Sequence, residues 1–183
     1  MIRHKVFPTS IYEMHISRDL ALHLLDEIKS NQKVIEVISS ATQPHPISDY
    51  STDYTDPLRF NTFWDEVVPD MNKSLVENDM QMEVVQSWVS CYSGPSGHHP
   101  LHNHSPGYGR AGAYSGILYL SDIGFTDFFS VAYQADETQY SVPSQLGKVV
   151  LFPSIIPHQY RPERYDGNAR YVLPFNGYLE NNK

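Results

Sequence analysis

His98-His99-Pro100-Leu101-His102-Asn103-His104, a glycine-rich connection over residues 105–113, and then Tyr114-Ser115-Gly116-Ile117-Leu118-Tyr119-Leu120 form the stretch that decides the fold. The second half is a short run of aromatic, branched and small residues between turn signals, and it reads as a strand. The first half sets His102 and His104 two positions apart in an extended segment, where alternate side chains share one side. A distant histidine, His158, ends the run Phe152-Pro153-Ser154-Ile155-Ile156-Pro157-His158, just after another apolar stretch, Lys148-Val149-Val150-Leu151-Phe152. In a rolled antiparallel sheet these two places can lie at one mouth. Three imidazoles on one face of a metal leave the opposite positions open for substrate, water or O₂. Read alone, His98, His99, His102 and His104 also suit a solvated loop, and His158 beside Pro157 suits a packed turn.

Outward from this stretch, the chain divides by texture. Leu20, Ala21, Leu24, Leu25 and Ile28 make an apolar stripe at helical spacing behind a candidate N-cap, Ser17. Ala41 to Tyr54, rich in Thr, Ser, Pro and Asp, reads as a loop, and Asp56-Pro57 as the cap and first residue of a second helix. Phe60, Phe63, Trp64, Val67 and Val68 form its buried face, and Pro69 should break or restart it before Met71, Leu75 and Val76. From about Met82 the pattern is that of strands: Glu83 to Cys91, Tyr114 to Leu120, Phe125 to Tyr133, Lys148 to Phe152 and Ala169 to Tyr178. Helices first and short strands afterwards predict an α+β fold whose strands close into a sandwich or barrel. Trp88 and Cys91 read as core residues, and Ala132 to Gln145 as a solvated or substrate-selecting loop.

Length and composition bound the rest. One domain fits 183 residues, and 40% hydrophobic content with thirteen Tyr and eight Phe fits a folded chain rather than a disordered one. A net charge of −8 with no run of Lys or Arg argues against a duplex nucleic-acid partner. Neither a signal-peptide pattern nor a membrane span is visible, and the single cysteine, Cys91, permits no internal disulfide, so a soluble cytoplasmic protein without a membrane partner is expected.

Arg170 is the second anchor. In Arg170-Tyr171-Val172-Leu173-Pro174-Phe175-Asn176 the even-numbered residues share a face, so Arg170 and Asn176 both look inward if the strand lines a barrel. A buried guanidinium needs a partner, and an acidic ligand such as 2-oxoglutarate would supply one through a bidentate contact. A surface arginine paired with Asp or Glu is the competing reading.

Taken in order, Trp88, Tyr92-Ser93-Gly94, His102-Asn103-His104, Tyr114 to Leu120, Gly147 to Pro153, His158, Arg170 and Phe175-Asn176 resemble the signature of the 2-oxoglutarate- and Fe(II)-dependent oxygenases common in phages and bacteria, within the prolyl-hydroxylase-like superfamily. Val6-Phe7-Pro8 followed by a helix is similar too, so the likeness covers nearly the whole chain. It implies a double-stranded β-helix (jelly-roll) barrel, about residues 81–183, with flanking N-terminal helices, about 1–80, in a single domain. It implies Fe(II) held by His102, by the residue two positions on and by His158, with Arg170 on the distal carboxylate of 2-oxoglutarate, Tyr92 as its hydrogen-bonding partner and Asn176 lining the same site. The implied reaction hydroxylates a small-molecule or peptidyl substrate while 2-oxoglutarate is converted to succinate and CO₂. A homodimer is the family's general habit. Two departures stand out: the residue two after the first histidine, usually Asp or Glu, is His104, and a customary small polar residue two after the arginine is Val172. If His104 is not a ligand, Asp122 or Asp127 is the candidate carboxylate.

Two other classes share the histidine pattern. A cupin-like metal enzyme working without a 2-oxo acid would leave Arg170 without a cosubstrate role, and often adds a Glu near the histidine pair, which is absent between His98 and Leu120. A non-catalytic metal-binding barrel would fill every coordination position, with His98 or His99 as fourth ligand. The glycine-rich residues 105–113 suit either a lid or a plain connection.

Overall fold

The computed structural model describes residues 1–6, 9–40, 48–50, 60–92, 99–104, 113–130, 139–161 and 169–181. Two antiparallel sheets face each other, and helices cover the outer side of the larger one. The larger sheet contains β1 (Ile2–Val6), β2 (Thr9–His15), β3 (Ser48–Tyr50), β4 (Met80–Ser87), β5 (Val89–Tyr92), β7 (Ala113–Tyr119), β10 (Lys148–Pro153) and β12 (Arg170–Asn181), in the order β1-β2-β10-β7-β12-β5-β3 with β4 also paired to β12. The smaller sheet runs β6-β11-β8-β9, from β6 (His99–His102), β11 (His158–Arg161), β8 (Phe125–Phe129) and β9 (Gln139–Pro143). Among the described residues no helix is long and apolar enough to cross a membrane.

Alternation along the central strands creates two cores. Val149 and Leu151 on β10, Leu118 on β7, and Leu173 and Phe175 on β12 point outward to the helices, where they meet Leu24, Ile28, Phe63, Met71 and Leu75. Val150 and Phe152, Ile117 and Tyr119, and Val172 point inward, against Phe128, Val142, Ile156 and Tyr160 of the facing sheet and its approach. Because both faces of β7 and β10 are covered, their sequences read as continuous apolar runs rather than as alternations.

Ser17 caps α1 (Arg18–Ser30) by accepting a hydrogen bond from Leu20 N–H, and Ala21, Leu24, Leu25 and Ile28 are its buried residues. A further helix, α2 (Gln32–Ser40), follows. Pro69 does not break the next helix. A π-helical turn over Phe63–Val67, closed by Val68 N–H on Phe63 O, leads into α3 (Val68–Val76), and the proline sits in the first turn of α3, where a missing N–H costs least. Asp56 and Pro57 lie outside the described residues.

The N-terminal part is not simply helical, since β1 and β2 precede α1 and β2 pairs with β10. Its signal was hidden because Ile11 feeds one core and Tyr12 and Met14 the other, which erases the period-two contrast. Ser48–Tyr50 forms a short strand inside the stretch that reads as a loop, and β9 lies within Ala132 to Gln145, held by one buried apolar residue, Val142. Such edge strands carry too little pattern to stand out.

The ring of Phe175 lies over Gly116 on the neighbouring strand, in the space where a Cβ would be. Gly116→Ala is expected to cost about 1–3 kcal/mol through overpacking, read as a lower midpoint in urea denaturation. An unchanged midpoint would show that Phe175 can move aside freely.

Candidate metal centre

His102 ends β6 and His158 begins β11, and the two are direct cross-strand partners. His104 follows immediately, its backbone N–H bonded to Ser154 O, so the third imidazole is carried to the same end of the small sheet. Ring centroids are 4.3 Å apart for His102 and His158 and 5.2 Å for each pair involving His104, and one ring nitrogen from each lies within 4.8 Å of the others. Among the described residues these three histidines are the one cluster able to hold a metal ion.

The tautomers fit that use. His102 Nδ1 lies 2.9 Å from Pro100 O and His158 Nδ1 3.0 Å from Ile156 O. A backbone carbonyl accepts only, so each Nδ1 carries the hydrogen and each Nε2 keeps a free lone pair. Burial, aided by His102, pushes His104 down to about 4 against a hydrogen bond that its ring N–H donates to Asn176 and that favours the charged form, so its imidazole is neutral at physiological pH. Three neutral nitrogen donors suit a divalent transition metal, iron, nickel and zinc included.

Trp88 stacks on His104, with centroids 5.6 Å apart and planes 23° from parallel. It is half-buried and lines the cavity rather than lying in the core as its sequence setting suggests. The cavity has an empty volume of about 430 Å³ counted to its open mouth, and both the histidines and Arg170 line it.

Arg170 is 2% exposed. Its cross-strand partner on β5 is Tyr92, and the guanidinium carbon lies 4.0, 5.1 and 5.5 Å from the ring centroids of Tyr160, Tyr92 and Tyr119. Its nitrogens donate to Ser144 Oγ at 3.3 Å and Thr126 Oγ1 at 3.4 Å. Burial lowers the guanidinium below its ordinary value while the tyrosines oppose that shift, and among the described residues no carboxylate forms an ion pair with it. A cation held by ring faces and hydroxyls at the end of a cavity has the chemistry to receive an anion.

Asn176 shares the inward face with Arg170 but lies six residues, about 20 Å, further along the strand. There it accepts from Ser115 Oγ at 2.8 Å, contacts Gln86 and hydrogen-bonds His104. The structure therefore brings Tyr92 to Arg170 and Asn176 to the histidines. Neither candidate carboxylate joins the triad. Asp122 accepts from Leu146 N–H at 2.6 Å, and Asp127, wholly buried, accepts from Ser141 and Arg161. Burial would raise the Asp127 carboxyl, yet the Arg161 and Ser141 hydrogen bonds outweigh it and hold it below the usual range. His98, Tyr108, Tyr133 and residues 105–112 lie outside the described residues. Thr126, Ser144 and the caging role of Tyr119 and Tyr160 escaped sequence reasoning. Their one available signal was parity: Tyr160 stands two after His158 and Thr126 two before Phe128, on the inward side.

No protein-family model matches the sequence, and no curated protein does. Solved structures do. The chain is similar to a non-heme alpha-ketoglutarate-dependent carbocyclase, SnoK, from nogalamycin biosynthesis, with a TM-score of 0.67 and 10% identity over 93% of this chain and 79% of that one. It is similar to a Pseudomonas putida prolyl-4-hydroxylase, with a TM-score of 0.56 and 17% identity over 92% and 91%. It is similar also to HygX from Streptomyces hygroscopicus, solved with nickel and 2-oxoglutarate bound, with a TM-score of 0.63 and 12% identity over 93% and 83%. At such identities the likeness is one of fold.

His158→Ala is expected to abolish stoichiometric metal binding, measured by metal analysis after dialysis, because two donors replace three. Asp127→Asn should retain the metal while lowering stability at pH 7, since the charged hydrogen bond to Arg161 is lost. Because the Asp127 carboxyl is depressed in the folded chain, its contribution is present above the unfolded carboxylate range and is lost as pH falls through the folded value. The stability gap between wild type and Asp127→Asn should accordingly shrink on acidification. Loss of metal from Asp127→Asn would overturn this division of roles.

Proposed function

We propose that this chain is a non-haem Fe(II)- and 2-oxoglutarate-dependent oxygenase that hydroxylates a small-molecule or peptidyl substrate, built as a double-stranded β-helix. The observation that carries the reading is one cavity with two ends: a three-imidazole centre and a buried guanidinium with no carboxylate partner among the described residues. The fold likeness to oxygenases named as alpha-ketoglutarate-dependent or solved with 2-oxoglutarate supports it.

In this reading His102, His104 and His158 hold iron through neutral nitrogens, and Arg170 receives the distal carboxylate of the oxo acid. When bound, iron and 2-oxoglutarate together supply O₂ reduction coupled to formation of succinate and CO₂. The chain's own part is positional. Tyr92, Tyr119 and Tyr160 fix the guanidinium plane, while Thr126 and Ser144 occupy its remaining donors, so the distal carboxylate meets a preset fork rather than a mobile side chain. Phe152, Ile117, Val172 and Trp88 line the cavity and keep water away from the reacting end. A second reading, a cupin-like enzyme without the oxo acid, is favoured by one observation, the all-imidazole donor set, and Arg170 separates the two.

Anaerobic addition of Fe(II) and then 2-oxoglutarate should produce a weak visible charge-transfer band. Arg170→Ala is expected to keep iron but weaken 2-oxoglutarate by about 2–5 kcal/mol, at least roughly thirtyfold. Bound iron with no band in wild type, or unaltered 2-oxoglutarate affinity in the variant, would favour the cupin-like reading.

A further inference from the structure

The three imidazoles are not held alike. His102 and His158 each place Nδ1 against a backbone carbonyl two residues earlier. His104 is held by the larger sheet instead. Trp88 lies against its face, with ring centroids 5.6 Å apart, and Asn176 hydrogen-bonds its edge. On β12, Asn176 is the direct cross-strand partner of Ser115 on β7 and of Gln86 on β4. Partners in register share a face of the sheet, so one carboxamide stands between a hydroxyl and a second carboxamide. Ser115 Oγ donates to Asn176 Oδ1 at 2.8 Å, with Ser154 Oγ 3.0 Å from Ser115, and Asn176 Nδ2 donates to Gln86 Oε1 at 3.4 Å. Two neighbouring strands thus pin the two ends of one amide.

The direction of that amide has a chemical consequence. A neutral imidazole carries one N–H and one lone pair, on different nitrogens. Against the carboxamide oxygen, His104 presents its N–H, and the lone pair falls on its other nitrogen. Against the carboxamide NH₂ it would present the lone pair, and the hydrogen would block the nitrogen left for a metal. The same histidine is therefore a donor with one amide orientation and none with the other. A carboxylate two positions after His102 would have no tautomer to set; an imidazole there does. Resting on the metal-centre part of the reading above, we propose that Asn176 is a positioning residue: its oxygen, turned by Ser115 and Gln86, holds the His104 hydrogen on the nitrogen facing β12 and leaves the lone pair on the nitrogen facing His102 and His158. Asn176 does not itself line the cavity, so it acts through His104. Partners of this kind commonly govern metal affinity by orienting a ligand they do not replace.

Two measurements on the full chain test this. In the metal-free protein, imidazole nitrogen NMR reports which ring nitrogen carries the hydrogen. Wild type should show His104 in one tautomer, protonated toward Asn176, and Asn176→Leu, which keeps bulk but offers no acceptor, should show a mixture. Co(II) affinity, followed through the visible spectrum, should fall roughly tenfold or more in Asn176→Leu and return to the wild-type range in Asn176→Asp, which keeps an acceptor oxygen. A role in packing alone predicts a different order, because a half-buried charge makes Asn176→Asp no more stable in urea than Asn176→Leu, and metal binding would then follow stability. Equal Co(II) affinity in wild type and Asn176→Leu, or an equal loss in both variants, overturns the inference while the metal centre stands. Wild type with the His104 hydrogen on the nitrogen facing His102 and His158 overturns it too, whether or not either variant folds. Refusal of Co(II) by wild type sinks the metal-centre reading and this inference together.

Discussion

A guanidinium with 2% of its surface exposed sets the terms for everything between the two sheets. Ionised groups pay several kcal/mol to leave water, and arginine cannot escape by losing its proton. The fold meets this demand partly, with three aromatic faces and two hydroxyls. Those groups come from β5, β7, β8, β11 and the residue after β9, so the facing sheet cannot shift without uncovering the charge. The histidine end depends on the same alignment, because β11 carries both Tyr160 and His158 on one side. Holding the cation in place therefore holds the three imidazoles in place.

A second buried ionic group shares the space between the sheets. Lys148, Glu13, His4 and Tyr140 join β10, β2, β1 and β9, with Tyr140 donating to Glu13 at 2.9 Å and His4 3.2 Å from the same oxygen. Here cation and anion are both supplied by the chain, so the group is closed. The contrast with Arg170 is informative: the same fold satisfies one buried cation internally and leaves the other to face a cavity.

Much of this was legible in the residues. The strands β7 and β10 announced themselves because burial on both faces leaves an apolar run with few alternatives, and α1 did so through Ser17 and its stripe. The spacing of the histidine pair pointed to a shared side, but taken alone it suited a solvated loop equally, and His158 suited a packed turn. What stayed hidden has common causes. Edge strands such as β9 rest on one buried side chain. The strand β2 feeds two cores and so shows no contrast. Trp88 looked like core because indole usually is, and only the position of His104 reveals that it has an imidazole to stack on. The place of Asn176 depends on strand length, since a shared face does not mean a shared site when six residues intervene.

The hydrogen bonds that orient the three imidazoles are of two kinds. His102 and His158 each lean on the carbonyl two residues before them, so each brings its own support within a tripeptide. His104 borrows its partner from Asn176, 72 positions away on another strand. Two corners of the triangle are thus portable, surviving any change that keeps their local backbone. The third is adjustable from a distance. Descendants of this sequence can retune the centre's electronics by altering Asn176, Ser115 or Gln86, without touching a single donor atom.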